Sequence, residues 1–179
     1  MIRNTKYKRL EDNVEVCVFP LETFLSAQGP GFNSDGSVDM ESYSHTGSWA
    51  IDNSGDVASN DPATYSDVFA PVKVELVYIS TAENEYNTCI YSSVNKVLFP
   101  GDDIPDYLDL ALIHCEDEYM GDLNVGDIFE QGEWIYKEGL NGGPDMTGAH
   151  VHMEARKRGT HTDTKMCYRY FDATGNPAT

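Results

Sequence analysis

The stretch Gly148-Ala149-His150-Val151-His152-Met153-Glu154 sets small or apolar residues in alternation with ionisable ones. Successive side chains leave a β-strand on opposite faces, so a period of two reads as a strand. His150, His152 and Glu154 then share one face. Two imidazoles two positions apart on that face are close enough to share a metal site, with one binding the ion while the other stays free to move protons. The chain has 5 histidines in 179 residues. Pairing two of them in this way makes a zinc hydrolase the leading expectation.

Similar alternation recurs outward from this block. Residues 14–19 alternate until Pro20 stops them, and 68–79 reads as one long strand with Pro71 marking an edge or an entry. Residues 88–93, 96–99, 134–138 and 151–155 read as further strands, and 109–114 is a compact apolar run suited to a buried strand. Clusters of Gly, Asp, Asn and Pro separate them at 29–36, 53–62, 100–105 and 139–148. Helical patterning is weak; residues 21–27 could form one turn. The pattern predicts a mainly β protein, a single antiparallel β-sheet or sandwich domain with long Gly/Asp-rich loops. That domain takes in residues 1–179, with a core at about 15–158 and a polar tail at 172–179 expected to fray.

Composition narrows the function. The formal charge is -18, from 12 basic and 30 acidic residues. A phosphate-binding surface needs clustered Lys and Arg, so nucleic acid and anionic membranes are unexpected partners. Hydrophobic residues make up 40% and no apolar run reaches the roughly 20 residues a membrane helix needs, which predicts a soluble protein. The basic start (Arg3, Lys6, Lys8, Arg9) has no apolar signal core after it, and no secretory signal is expected. Cys17, Cys89, Cys115 and Cys167 form no Cys-x-x-Cys pair, which argues against a zinc ribbon and for small buried thiols.

The other histidines guide the search for ligands. A hydrolytic zinc site needs about three protein ligands and one open position. His45 precedes Asp52 by seven residues, which on a regular strand means opposite faces. The two can meet only if the backbone turns between them, and Gly47-Ser48 is the plausible place. His114 ends the apolar run, where it could face a cleft. Cys115 should point the other way, into packing. His161 sits in a polar loop and is read as solvated.

Taken in order, these features resemble the lysostaphin/LytM-type zinc metallopeptidases, which cut peptide bonds in bacterial cell walls. The matching blocks are Ser44-His45-Thr46-Gly47-Ser48-Trp49-Ala50-Ile51-Asp52, Phe69-Ala70-Pro71-Val72 and Leu112-Ile113-His114. After them come the turn from Leu123 to Glu133 and the closing Thr147-Gly148-Ala149-His150-Val151-His152-Met153-Glu154. The resemblance spans roughly residues 15–158 and is strongest in the closing block. It implies the family's duplicated-hybrid-motif-like β fold. It also implies one Zn2+ per chain held by His45, Asp52 and His152, with His150 and His114 as catalytic imidazoles. In that scheme His150 moves the proton, and His114, if protonated or donating, steadies the oxyanion. Glu154 could orient one of the imidazoles. The loop at 139–144 could line a substrate groove.

The implied activity is a zinc endopeptidase acting on peptidoglycan peptides. Phage-encoded members are the nearest in pattern, because the interval from His45 to Asp52 exceeds the three residues that separate the pair in lysostaphin. Delivery to the wall by a phage or by secretion without an N-terminal signal follows from the same resemblance. So does a separate wall-targeting or phage structural partner, since a charge of -18 would repel teichoic acids. Two alternatives remain. One is an inactive LytM-like module that binds a peptide or partner. The other is a cupin-type metal oxygenase, in which the carboxylate ligand follows a His-x-His pair after three or four residues; here Glu154 follows after one.

Overall fold

In the computed structural model the described residues are 14–15, 17, 20–21, 26–33, 35, 37–41, 45–54, 60–99, 101–144, 146–160 and 163–164. The strands in chain order are β1 (Val14–Glu15), β2 (Ser26–Gln28), β3 (Ile51–Asn53), β4 (Asp67–Phe69), β5 (Val74–Ser80), β6 (Thr88–Ser93), β7 (Lys96–Val97), β8 (Leu108–Ile113), β9 (Ile128–Phe129), β10 (Trp134–Lys137), β11 (Val151–Lys157) and β12 (Asp163–Thr164). One four-residue helix, α1 (Asp117–Met120), follows β8. The protein is mainly β, as its alternation predicts. Among the described residues no helix is long and apolar enough to cross a membrane.

Eight strands form one antiparallel sheet in the order β2-β3-β11-β8-β6-β5-β9, with β12 also paired to β11. Strands β4 and β10 make a separate antiparallel ribbon, and β1 pairs with β7 in parallel, departing there from the antiparallel expectation. Strand β11 is central. His152 lies opposite Asp52 of β3 on one side and opposite Ile113 of β8 on the other.

Burial along β11 follows the alternation. Val151, Met153 and Ala155 are fully buried, while His152, Glu154 and Arg156 are half-buried on the opposite face. Leu108, Leu110 and Leu112 of β8 and Leu76 and Tyr91 of the neighbouring strands join the same hydrophobic cluster. Ile135 and Tyr136 of the ribbon enter it too, and the Tyr91 hydroxyl donates to the Ile135 carbonyl across the two sheets. The apolar face is thus spent on the core, and the ionisable face of β11 is left for chemistry.

Two sequence expectations are corrected. Residues 68–79 are two strands, because the chain changes sheets between them. Pro71 has no N–H to give a ladder, and Ala70 exchanges hydrogen bonds with Glu133 (2.8 Å) and Gly132 (2.9 Å) in the turn before the ribbon strand β10. Of the helical turn expected at 21–27, residues 22–25 lie outside the described residues and the far end is strand instead: Ser26–Gln28 is β2 on the edge of β3, and Leu21 bridges to Val68. His161, Cys167, residues 16, 18 and 19 of the strand expected at 14–19, and the tail at 172–179 lie outside the described residues. Cys17, Cys89 and Cys115 are buried, with burial pushing the Cys89 and Cys115 thiols up to about 12.

Candidate metal centre

Four histidines and one aspartate converge on the polar face of β11. His45 reaches it because the chain turns where the sequence predicts. Gly47 has φ 71, and the Ser48 N–H closes the turn on the His45 carbonyl at 2.7 Å. Gly31 backs this turn so closely that a Cβ there would stand 1.7 Å from the His45 carbonyl oxygen. Asp52 comes from β3, His152 from β11 directly opposite, and His150 from the residue just before β11. His114 follows β8, and its ring lies 4.7 Å from that of His150 and 6.1 Å from that of His152.

Asp52 is the hub. Its Oδ1 lies 2.9 Å from His152 Nδ1 and 3.2 Å from His45 Nε2, and its Oδ2 lies 3.7 Å from His150 Nε2. One ligand atom from each of His45, Asp52 and His152 can be chosen so that all lie within 4.8 Å of one another. That is the trio the family resemblance implies as metal ligands, with His114 and His150 beside it.

The second nitrogen of each ring is tied down elsewhere. His45 Nδ1 faces the Gly29 carbonyl at 2.8 Å, His114 Nδ1 the Asn141 carbonyl at 2.9 Å, and His150 Nδ1 the Gly148 carbonyl at 2.9 Å. A carbonyl only accepts, so each of these nitrogens carries the proton. His152 Nε2 faces Glu154 Oε1 at 3.2 Å, and Arg156 donates to the other Glu154 oxygen. His45, His114 and His150 therefore donate outward and turn their other nitrogen, with a lone pair, toward the cluster, whereas His152 lies between the carboxylates of Asp52 and Glu154.

His45 Nε2 shows the consequence. The residue is 1% exposed, and this nitrogen has no aligned hydrogen bond although Asp52 Oδ1 is 3.2 Å away. Two acceptors face each other across a buried gap, an arrangement that costs free energy until a cation lies between them. Borderline nitrogen donors with one carboxylate suit zinc. The residues present fit a metal ion.

Electrostatics agree. Burial alone would raise the Asp52 pKa, but the His152 and His45 rings and the charges of His150 and His152 outweigh it and hold the carboxyl well below its usual range. Burial likewise works to lower His152, yet its bonds to Asp52 and Glu154 prevail and raise it to about 9. Glu154 falls to about 2, chiefly through its bond from His152, against burial and with help from Arg156. Without a metal, His152 holds a proton between two carboxylates, and an ion would replace it. Burial pushes His114 down to about 4. With Nδ1 committed to Asn141, its Nε2 is an acceptor, so the donor role expected for His114 is open only after it gains a proton.

Sequence reasoning missed the carbonyls of Gly29, Asn141 and Gly148, because a backbone acceptor leaves no side-chain signature. It also missed Tyr86, whose ring lies 6.1 Å from that of His114. The loop expected to line a groove is present in part: a Cβ at Gly142 would meet Met146 Sδ at 2.3 Å and His114 Nδ1 at 3.3 Å.

No protein-family model matches this chain, and no curated protein matches it by sequence. The structure is similar to the crystal structure of a zinc-containing peptidase from Vibrio cholerae, with a TM-score of 0.53 and 13% identity. The match covers 88% of this chain and 44% of that one, so this chain spans less than half the length of that peptidase. The chain shares the β fold of a zinc-containing peptidase.

Proposed function

We propose that this protein is a zinc-dependent endopeptidase that hydrolyses peptide bonds of bacterial peptidoglycan. The observation that carries the metal is the buried, unpartnered Nε2 of His45 facing Asp52 Oδ1, with His152 Nδ1 on the same oxygen. The zinc-containing peptidase of similar fold supports the reaction class. The peptidoglycan substrate is supported by the resemblance of the His45-to-Asp52 and Gly148-to-Glu154 blocks to lysostaphin/LytM-type enzymes. Action on the cell wall, with targeting supplied by a phage or wall-binding partner, belongs to the same reading.

His45 Nε2, Asp52 Oδ1 and His152 Nδ1 would hold the ion. Zinc bound there supplies a Lewis acid that brings the pKa of water to about 7 and polarises the scissile carbonyl. His150 Nε2, 3.7 Å from Asp52 Oδ2, takes the proton of the attacking water. His150 then gives that proton to the departing amine as the C–N bond breaks. His114 Nε2, a lone pair fixed in direction by the Asn141 carbonyl, accepts a hydrogen bond from the water and aims it. Glu154 keeps the His152 proton on Nε2, so that Nδ1 is the nitrogen offered to the ion.

Elemental analysis of untagged protein, followed by amino-group release from purified walls of several chemotypes, tests the reading. About one zinc per chain, lost in His45→Ala, with hydrolysis of at least one wall, is the expected result. No zinc after dialysis against the metal would overturn the enzyme and leave a binding module. Zinc with cleavage of other peptides but of no wall would overturn the substrate.

A further inference from the structure

Three non-glycine residues among those described have positive φ, and they meet in one knot: Tyr86 (φ 49), Asn87 (φ 54) and His114 (φ 89). L-residues avoid this region because Cβ crowds the backbone, and such conformations persist where the surroundings over-determine them. The His114 N–H donates to the Tyr86 carbonyl at 2.9 Å. The next residue, Cys115, is gripped at both ends. Its N–H donates to the Tyr136 hydroxyl at 3.0 Å, and its carbonyl accepts from Asn87 Nδ2 at 2.7 Å. The Tyr136 hydroxyl donates in turn to the Asn87 carbonyl, closing the loop. Asn87 Nδ2 also reaches Asp117 Oδ1 at 2.8 Å. Tyr136 and Cys115 are fully buried and Asn87 is 1% exposed, so water does not replace these partners.

We infer that the Tyr136 hydroxyl and the Asn87 carboxamide are positioning groups for the peptidase reaction, holding His114 in its left-handed conformation through the backbone of Cys115. This rests on the zinc-peptidase reading of the site. The hydrogen bonds of these two groups go to Cys115, Asp117 and the Asn87 carbonyl, and not to the imidazole or the proposed ligands. Relaxing His114 to an ordinary negative φ turns the chain about N–Cα by roughly 150°. Such a turn cannot keep both its Nδ1 on the Asn141 carbonyl and its ring 4.7 Å from His150. The clasp therefore decides where the His114 lone pair points. Tyr91 offers an internal comparison. It is equally buried and its hydroxyl also donates to a backbone carbonyl, but that carbonyl belongs to Ile135, in the peptide before Tyr136, and is none of the bonds that grip Cys115.

The test compares zinc-loaded Tyr136→Phe with Tyr91→Phe and wild type for zinc content, Tm, kcat and KM, and for the His114 ring signal in NMR, assigned with His114→Gln. Both variants are expected to lose some Tm and keep zinc. Tyr136→Phe alone should move the His114 signal and lower kcat, on the order of 100-fold, with KM little changed. Wild-type kcat and an unmoved His114 signal in Tyr136→Phe would overturn the proposal, as would equal losses of kcat in both variants. If the wild type hydrolyses nothing, the functional reading fails by itself, and the His114 signal decides the clasp. Should Tyr136→Phe not fold, Asn87→Gly, which removes the carboxamide and tolerates positive φ, takes the same comparison.

Discussion

Glu154 Oε1 lies 3.2 Å from Nε2 of His152, two residues earlier on the same face of β11. The carboxylate accepts that proton and leaves Nδ1 as the nitrogen directed at Asp52. Removing the acceptor frees the ring to rotate and lets the proton settle on either nitrogen. Glu154→Ala should lower zinc affinity by about 10- to 100-fold, read by competition with a chromophoric chelator. An unchanged affinity would mean that the His152 ring is oriented by packing alone.

His150 is tied to the Gly148 carbonyl through Nδ1 and has its other nitrogen toward Asp52 Oδ2. His150→Ala should retain zinc while kcat falls by roughly 10²- to 10⁴-fold. Zinc lost along with activity would place His150 among the ligands.

Gly31 and Gly29 form a matched pair near His45. A Cβ on Gly31 would collide with the backbone of His45 and Thr46, whereas one on Gly29 meets nothing within 4 Å. Gly31→Ala should therefore displace the His45 turn, lower Tm and abolish zinc retention. Gly29→Ala should keep the metal, because the carbonyl that faces His45 Nδ1 is unaltered. Zinc content and thermal unfolding of the two variants check both halves.

The metal-free protein should show a stability maximum near pH 6.5. Burial holds His114 near 4 against an ordinary 6.5, so between those values the unfolded chain binds a proton that the folded one refuses. Stability falls as pH drops through that window, by roughly 1.4 kcal/mol per pH unit from this group. His152 behaves oppositely, its bonds to Asp52 and Glu154 outweighing burial and raising it to about 9. Its contribution is complete below about 6.5 and is lost as pH rises through 9. Tm of chelator-treated protein against pH measures both arms; a Tm that climbs from pH 6.5 to 9 would contradict the second.

Much of this was legible in particular residues. Strand β6 coincides with the predicted 88–93, and the two faces of β11 follow from its alternation. The turn that brings His45 to Asp52 lies at Gly47-Ser48, where the opposite-face argument required it. Other features depend on distant partners. Ser26–Gln28 is a strand because β3 is beside it, not because of its own propensity. The break near Pro71 is fixed by a turn some sixty residues later, which supplies the partners for Ala70. The left-handed His114 has no local signal at all, since its cause is the hydroxyl of Tyr136.

Direct opposition of His152 and Asp52 across β3 and β11 also bears on how such a site could be lost. Two ligands set by strand pairing stand or fall with its register. Deleting one residue between His45 and Ile51 and re-pairing β3 one step out of phase would turn Asp52 to the far side of the sheet. Every ligand would survive in the sequence of such a protein, and its inventory of histidines would look intact. For this architecture, spacing is as much a part of the active chemistry as residue identity, and an insertion can silence it as completely as a substitution.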